Sequence, residues 1–290
     1  MANTTNYSKI IAGTMTWGSW GKQLSTEEMV ALMEQCSSLG ITTFDHADIY
    51  GDYGTEIAFG KAFKASNLDR SKVQFISKCG IQMTSGRENK VKHYQYDKDY
   101  IISSTEQSLK KLNTEYLDVL LLHRPSPLLQ PEEVAEAILS LKNSGKIKKF
   151  GVSNFSPSQI ALLETAVPVS ANQVEFSLTQ NEVMTNGTLD DCMVHRRFTM
   201  CWSPLGSYFR KKDAKTARIK KILISLIEKY SATESQILLA WSLKHPASIF
   251  PVVGTTNFER LSESVAAIEL NLEIQDWFLL LEASQGKEVA

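Results

Sequence analysis

The order of apolar and amphipathic segments in this 290-residue chain predicts an α/β fold, a parallel eight-stranded (β/α)8 or TIM barrel. Eight short apolar segments alternate with longer segments of helical periodicity. One short segment, residues 119–122, is apolar throughout, which is typical of a strand buried on both faces. No Pro-, Gly- or Ser-rich linker interrupts the chain, so we expect a single domain over residues 1–290. An open doubly wound sheet is the alternative, but no G-x-G-x-x-G motif follows the first predicted strand.

Local patterns predict the individual elements. The strands are expected near residues 10–16, 42–45, 73–79, 116–123, 148–153, 170–174, 200–203 and 249–253. Capping boxes, in which a Ser and a Glu or Gln three residues later bond each other's backbone, mark three helix starts: Ser25 with Glu28, Ser156 with Gln159, and Ser231 with Glu234. Pro131 predicts a further helix start, apolar residues follow at one-face spacing, and Gly145 marks its end.

Composition and charge exclude several classes of protein. The 31 basic and 32 acidic residues give a formal charge of -1, so no overall field favours nucleic acid or an anionic membrane. The 4 cysteines form no C-x-x-C pair, which argues against a disulfide scaffold or a zinc ribbon. The N-terminal segment lacks a signal-peptide core, and no apolar run approaches the about 18 residues that span a bilayer. We expect a cytoplasmic protein that binds neither nucleic acid nor membrane.

Polar side chains stand where the predicted strands end. The series is Asp45, Lys78, His123, Ser153, Asn154, Gln173, Ser203 and Thr255. In a (β/α)8 barrel the C-terminal strand ends meet at one face, and active sites lie there. Tyr50 follows Asp45 by five residues and would join this face. Together the groups predict an active site that can transfer a proton to a carbonyl oxygen.

Tyr50 is the predicted proton donor, with Lys78 beside it. A free phenol has a pKa near ~10, and an ammonium ~4 Å away contributes on the order of 4 kcal/mol at an effective dielectric constant of ~20. This predicts that the pKa of Tyr50 falls by up to about three units, toward neutrality. Asp45 would hold Lys78 charged and in place, and a neutral His123 would orient the substrate oxygen.

Several segments resemble the signature of the aldo-keto reductases. The longest is residues 39–51, LGITTFDHADIYG, followed by Glu56 and Gly60. The others are residues 13–18 (GTMTWG), 77–80 (SKCG), 122–125 (LHRP), 151–155 (GVSNF), 202–206 (WSPLG) and 277–286. They cover nearly the whole chain in the family's order, and the pattern is most similar to the bacterial oxidoreductases of the YdhF type.

The resemblance implies an enzyme that reduces a small-molecule aldehyde or ketone to an alcohol by hydride transfer from NADPH. It assigns the catalytic tetrad to Asp45, Tyr50, Lys78 and His123, which match the family residue for residue. The protein would contribute positioning and stabilisation of the oxyanion.

The resemblance also implies an NADPH site assembled from strand ends. Its nicotinamide part comprises Ser153, Asn154 and Gln173 on the carboxamide and Trp202 stacked on the ring, and the same resemblance adds Thr14 and Met15. Its pyrophosphate part comprises Ser203, Pro204, Leu205 and Gly206. Its adenine and 2′-phosphate part comprises Gly254, Thr255, Thr256, Arg260, Glu263 and Ser264. Gly254 stands where some members carry Lys, and Ser264 where Asn is frequent, so Thr255 and Arg260 would determine most of the preference for NADPH.

Two other functions stay open at this point. The barrel could bind the cofactor as a non-catalytic sensor or subunit. The spacing of Asp45, His46 and Asp48, with His123, also resembles the ligand set of barrel metal hydrolases. Lys78 would repel a cation there, so we expect no metal.

Two segments have more than one interpretation. Residues 81–97 are either a substrate lid or a solvated insertion, and residues 210–212 either close over the cofactor phosphates or form a solvated basic run. Aromatic residues expected at the pocket weakly favour apolar or aromatic carbonyl substrates: Trp17, Trp20, Tyr53, Tyr94 and Tyr208. The sequence predicts no oligomeric state.

Overall fold

Eight parallel strands close into a barrel in the computed structural model, which describes residues 7–289. The barrel strands are β1 (Ile11–Gly13), β2 (Thr43–Asp45), β3 (Gln74–Cys79), β6 (Leu117–Leu122), β7 (Ile147–Ser153), β8 (Ala171–Glu175), β9 (Phe198–Trp202) and β10 (Phe250–Val253). They neighbour one another in chain order, and β1 closes the ring against β10. The predicted fold class and all eight predicted strands are confirmed, while the ends of the predicted domain at residues 1–6 and 290 lie outside the described residues.

Helices surround the barrel. They are α1 (Thr26–Ser38), α2 (Thr55–Ala65), α3 (Lys98–Leu112), α4 (Pro131–Asn143), α5 (Pro157–Glu164), α6 (Thr188–Val194), α7 (Ala214–Tyr230), α8 (Glu234–Leu243), α9 (Phe258–Ala266) and α10 (Ile274–Gln285). Three short 3₁₀ turns cover Arg70–Lys72, Glu182–Met184 and Ala267–Glu269. None of the helices described is long and apolar enough to cross a membrane.

Two predicted capping boxes are present. Glu28 N–H donates to the Ser25 hydroxyl at 3.1 Å, and the Ser25 N–H donates back to the Glu28 carboxylate at 2.7 Å. Ser156 and Gln159 form the equivalent pair at the start of α5. Such caps satisfy N–H groups that have no partner within the helix.

The third predicted capping box, Ser231 with Glu234, is wrong. Ser231 ends α7 in the left-handed region at φ 48°, and the box that starts α8 joins Thr233 to Gln236. Both pairs have the three-residue spacing of a capping box, and the second pair begins two residues after the first. The choice between them depends on where α7 ends, which the local pattern does not specify.

The barrel strands are buried on both faces. Val119 and Leu121 of β6 belong to the apolar cluster inside the barrel, whereas Leu120 and Leu122 pack between the barrel and the helices. This explains why the strand is apolar without alternation. On β3 the same alternation directs Lys78 to the barrel mouth and Cys79 into the layer beneath the helices.

Residues 81–97 contain a short antiparallel hairpin. Its strands are β4 (Ile81–Gln82) and β5 (His93–Tyr94), in which Ile81 pairs with Tyr94. The hairpin leaves the barrel after β3 and stands beside the face where the strands end.

Candidate active site

Lys78 is the centre of a buried polar cluster at the barrel mouth. Its Nζ atom donates to both carboxylate oxygens of Asp45, at 2.8 and 2.7 Å. It also donates to the His46 carbonyl oxygen at 2.8 Å and to the Tyr50 hydroxyl at 3.2 Å. The ends of β2 and β3 supply Asp45 and Lys78, and the loop before α2 supplies Tyr50. The structure therefore brings these three predicted residues into direct contact.

The cluster keeps Lys78 protonated. Its side chain is 1% exposed, and burial by itself would lower the pKa of a lysine. The Asp45 carboxylate and the Tyr50 hydroxyl outweigh that effect, so the pKa of Lys78 is raised. A charge-assisted pair with both oxygens bound is among the stronger hydrogen-bonded arrangements in proteins. Lys78 is thus a fixed ammonium that faces the Tyr50 hydroxyl.

The expected lowering of the Tyr50 pKa is wrong in its net direction. Removal of the phenol from water raises the pKa of Tyr50, and the Lys78 ammonium offsets that rise only in part. The sequence-based value counted the charge of Lys78 and omitted the loss of hydration, which disfavours the phenolate. Tyr50 consequently holds its proton at neutral pH, as a proton donor must.

His123 follows β6 and completes the predicted tetrad. Its ring lies edge-to-face with that of Tyr50, with the centroids 6.1 Å apart. Burial, followed by the charges of Lys78 and Arg124, lowers the pKa of His123 well below its usual value, so the ring is neutral. Its buried Nδ1 atom has no hydrogen-bond partner within residues 7–289.

Thr14 forms a hydrogen bond to the main chain of Asp45, one of the predicted tetrad residues. Its hydroxyl donates to the carbonyl oxygen of Asp45 at 3.0 Å and lies 2.9 Å from Nδ1 of His46. Thr14 is fully buried and lines neither of the two cavities described below. The structure therefore places its side chain against the β2 backbone, away from the predicted cofactor site.

Four residues predicted around the nicotinamide form one hydrogen-bonded set. The Ser153 hydroxyl donates to the Gln173 carbonyl oxygen and accepts from Asn154 Nδ2, both at 2.9 Å. Asn154 Oδ1 accepts from Trp202 Nε1 at 3.1 Å. The side chain of Gln173 donates to Asp45 Oδ1 at 2.8 Å, which links this set to the tetrad.

Two cavities open at this face. The catalytic cavity, of about 480 Å³, is lined by Asp45, Tyr50, His123, Gln173, Trp202 and Met15, among others. The outer cavity, of about 750 Å³, extends from Ser203 to α9 and is lined by Leu205, Gly206, Thr255, Arg260, Glu263 and Ser264, among others. Ser203, Pro204, Arg210 and Gly254 line both cavities. The two cavities therefore adjoin each other at these four residues.

The loop after β9 requires glycine at residue 206. Gly206 has φ +56°, and a Cβ atom there would lie 2.0 Å from the Thr179 hydroxyl and 2.4 Å from that of Ser177. The neighbouring Ser203 also has a positive φ, of 53°. The loop therefore packs closely against the segment after β8, which contains Ser177 and Thr179, and Gly206 lines the outer cavity.

Arg260 stands in the first turn of α9, facing the outer cavity. Asn257 caps this helix by accepting from the Arg260 N–H at 2.9 Å. Glu263 instead accepts from Ser235 at 2.9 Å, and no ion pair of the Arg260 guanidinium occurs among the residues described. A free guanidinium beside a helix N-terminus favours an anion. Thr256, which was predicted beside it, lines neither cavity.

The comparisons with known proteins agree with this geometry. The model of the aldo/keto reductase family matches residues 9–284. This chain belongs to the aldo/keto reductase family. It is 40% identical to the uncharacterized oxidoreductase YcsN of Bacillus subtilis (strain 168), over 100% of this chain and 98% of that protein. It is 39% identical to the oxidoreductase YdhF of Escherichia coli (strain K12), over 98% of this chain and 95% of that protein.

A solved structure shows the same fold with a cofactor. It is an aldo-keto reductase from Klebsiella pneumoniae in complex with NADPH, with a TM-score of 0.79 and 25% sequence identity over 94% of this chain and 90% of that one.

The aromatic residues of this aldo/keto reductase divide between the cavity and the core. Trp20 and Tyr94 line the catalytic cavity, as expected. Trp17 is 1% exposed and packs on Phe44 and Phe59, so its predicted place at the pocket is wrong. The two remaining tyrosines of the predicted set lie elsewhere: Tyr53 lines a separate polar cavity, and Tyr208 is buried and donates to Glu234.

Several lining residues were not among the predicted site residues. In the outer cavity they include Phe209, Thr233, Glu234 and Ser235, and in the catalytic cavity Ile49 and Arg124. Ile81, Met83 and Lys92 also line the catalytic cavity and belong to residues 81–97, which were expected to be either a substrate lid or a solvated insertion. The capping pattern at Thr233 is a signal that could have located the start of α8, which lines the outer cavity. Arg210 lines both cavities, whereas Lys211 and Lys212 line neither, so only the first residue of that basic run reaches the site.

Proposed function

We propose that this aldo/keto reductase reduces an aldehyde or ketone to an alcohol with NADPH, and that Tyr50 is the general acid. The observation that supports the proposal most directly is the placement of the Lys78 ammonium 3.2 Å from the Tyr50 hydroxyl while Asp45 binds it through both oxygens. A protonated phenol next to a fixed positive charge suits donation of a proton to a carbonyl oxygen.

The cavities fit NADPH. Trp202 offers a ring face in the catalytic cavity, beside Ser153, Asn154 and Gln173. Ser203, Pro204, Arg210 and Gly254 line both cavities, and Arg260 with Thr255 would hold the 2′-phosphate in the outer one. When bound, NADPH supplies the hydride, and the relative from Klebsiella pneumoniae crystallised with NADPH supports this choice of cofactor.

Each tetrad residue has its own part in the transfer of a proton to the carbonyl oxygen. Tyr50 holds its proton at neutral pH, because a free phenol already has a pKa near ~10 and burial raises the pKa of Tyr50 further. As the proton leaves, the Lys78 ammonium stabilises the developing phenolate, and Asp45 keeps that ammonium in position. His123 is a neutral ring at the same cavity and can donate a hydrogen bond to the substrate oxygen without a second charge.

The test is Tyr50→Phe with aldehyde reduction followed by NADPH absorbance. A general acid contributes about 10²–10⁴ in rate, so turnover should fall by that factor while the Kd for NADPH changes by a few fold at most. Tyr116→Phe is the matched control, because Tyr116 stands before β6 at the opposite end of the barrel. If Tyr50→Phe keeps more than a tenth of the wild-type rate, Tyr50 is not the acid.

The same assay separates the non-catalytic alternative. A sensor or subunit on this barrel would bind NADPH and give no steady turnover with a reactive aldehyde. The hydrogen-bonded Tyr50 and Lys78 support the enzyme, because binding of a cofactor alone does not require a proton donor at the barrel mouth.

A further inference from the structure

The catalytic cavity carries an excess of positive charge. Among its described lining residues, Lys92, Arg124 and Arg210 are basic, and Asp45 is the one carboxylate. Both oxygens of Asp45 are already bound by Lys78. Arg210 also lines the outer cavity, which the proposed function assigns to the cofactor. The proposed reaction therefore leaves Lys92 and Arg124 without a role.

Arg124 is held in a fixed position next to His123. Its backbone N–H donates to the Tyr96 hydroxyl at 3.1 Å, and that hydroxyl donates to the Arg124 carbonyl oxygen at 2.6 Å. Nη1 of its guanidinium donates to the His123 carbonyl oxygen at 2.9 Å and to the Ser153 hydroxyl at 3.4 Å. The guanidinium lies 5.6 Å from the ring centroid of Trp202. A cation fixed in this way loses little further freedom when it binds a ligand.

The other donors of Arg124 are free. Within residues 7–289, its Nε and Nη2 atoms have no hydrogen-bond acceptor, and no carboxylate forms an ion pair with it. The nearby acid is Glu175, whose pKa is raised by burial and lowered in part by Arg210 and Arg124, but Glu175 makes no ion pair with either arginine. The planar guanidinium fork matches the geometry of a carboxylate or a phosphate.

Lys92 adds a second positive charge to the catalytic cavity, on the hairpin formed by β4 and β5. It stands beside β5 on the hairpin wall of the cavity, and its side chain is exposed. Burial, followed by the charges of Lys78, Arg124 and Lys92, lowers the pKa of His123. An exposed lysine at a cavity mouth attracts anions over a distance of about a Debye length, roughly 8–10 Å at moderate salt.

We infer that the carbonyl substrate carries an anionic group, a carboxylate or a phosphate, which Arg124 binds and Lys92 attracts. This inference rests on the proposed function. The carbonyl oxygen of the substrate would lie at Tyr50 and His123, and its anionic group would lie at Arg124, the residue after His123. Arg124 is then a specificity-determining residue for this reductase.

The experiment compares matched charged and neutral substrates with NADPH. One pair is para-carboxybenzaldehyde and its methyl ester, and the other is glyceraldehyde phosphate and glyceraldehyde. A charge-assisted hydrogen bond corresponds to about 10- to 150-fold in affinity, so the wild type should prefer the anion of at least one pair by about 10-fold or more in kcat/KM. The pair with the larger preference distinguishes a carboxylate from a phosphate.

Variants of Arg124 and Lys92 then test which side chain causes the preference for the anionic substrate. Arg124→Gln should lower kcat/KM for the anionic substrate about 10- to 100-fold more than for its neutral partner, and Arg124→Lys should retain part of the difference. Lys92→Gln should reduce the preference by a few fold and weaken its dependence on salt. Lys90→Gln is the matched control, because Lys90 is exposed on the same segment and lines none of the cavities described.

Equal kcat/KM for both members of both pairs in the wild type would overturn the inference. So would an equal loss for anionic and neutral substrates in Arg124→Gln, because that result assigns Arg124 to holding His123 in place. Absence of reduction with every aldehyde would instead refute the proposed function. Reduction of neutral aldehydes without preference refutes only the anionic substrate.

Discussion

Replacement of Lys78 by methionine should destabilise the protein as well as inactivate it. In the wild type the buried Asp45 carboxylate accepts two hydrogen bonds from Lys78 and one from Gln173. Methionine fills a similar volume but leaves that carboxylate with Gln173 as its remaining side-chain donor. The variant thus buries a charge that has lost its counter-ion.

The size of the effect follows from the burial of both partners. The side chains of Lys78 and Asp45 are 1% and 3% exposed, so solvent screens the pair very little. Removing one partner of such a pair typically costs about 3–5 kcal/mol, mainly because the remaining charge is uncompensated. Replacing both partners is often close to neutral. Asp45→Asn with Lys78→Met should therefore recover most of the stability and none of the activity.

Urea unfolding of the wild type, Lys78→Met and the double variant measures these differences. In Lys78→Met, a proton taken up by the buried carboxylate relieves the penalty, so the deficit should shrink as the pH is lowered from 8 to about 5. The double variant, which has no such carboxylate, should lack this trend. A loss below about 1 kcal/mol in Lys78→Met, or a double variant less stable than the single one, would refute the assignment of Lys78 as the counter-ion of Asp45.

Three further predictions concern the cofactor, the pH dependence and the helix caps. Arg260→Ala should weaken NADPH binding by about 10- to 150-fold and leave NADH binding nearly unchanged, measured by quenching of Trp fluorescence; equal losses would contradict the 2′-phosphate role. Burial, with the charge of Glu56, raises the pKa of Asp48 from 3.8 to about 7. Between pH 3.8 and about 7 the folded protein therefore binds more protons than the unfolded chain, and the free energy of unfolding falls as the pH rises through this range. Asp48→Asn should remove this component, so the variant should gain about 3 kcal/mol relative to the wild type as the pH is raised from 5 to 8 in urea unfolding; an unchanged difference would exclude Asp48 as its source. Thr233→Ala should lower the unfolding free energy by about 0.5–2 kcal/mol and Ser231→Ala by less than about 0.5 kcal/mol, and the reverse order would contradict the observed cap.

The sequence by itself determined the number and order of the barrel strands and the barrel face at which the predicted tetrad residues lie. Most of the strands contain a short apolar segment whose pattern depends on the strand's own residues, and β6 shows why such a pattern is reliable. Both faces of β6 are buried, so the strand is apolar throughout. Asp45, Lys78 and His123 stand at or just after strand ends and Tyr50 in the loop after β2, and barrel closure brings every strand end to one face.

Tertiary structure decided the properties that depend on burial and on contacts between distant residues. The net direction of the Tyr50 pKa follows from loss of hydration, which has no sequence signal. Gln173 reaches Asp45 from 128 residues away, and Arg124 is fixed by the hydroxyl of Tyr96. A charge or a hydrogen bond acts through its distance and its surroundings in space, and those are set only when the barrel closes.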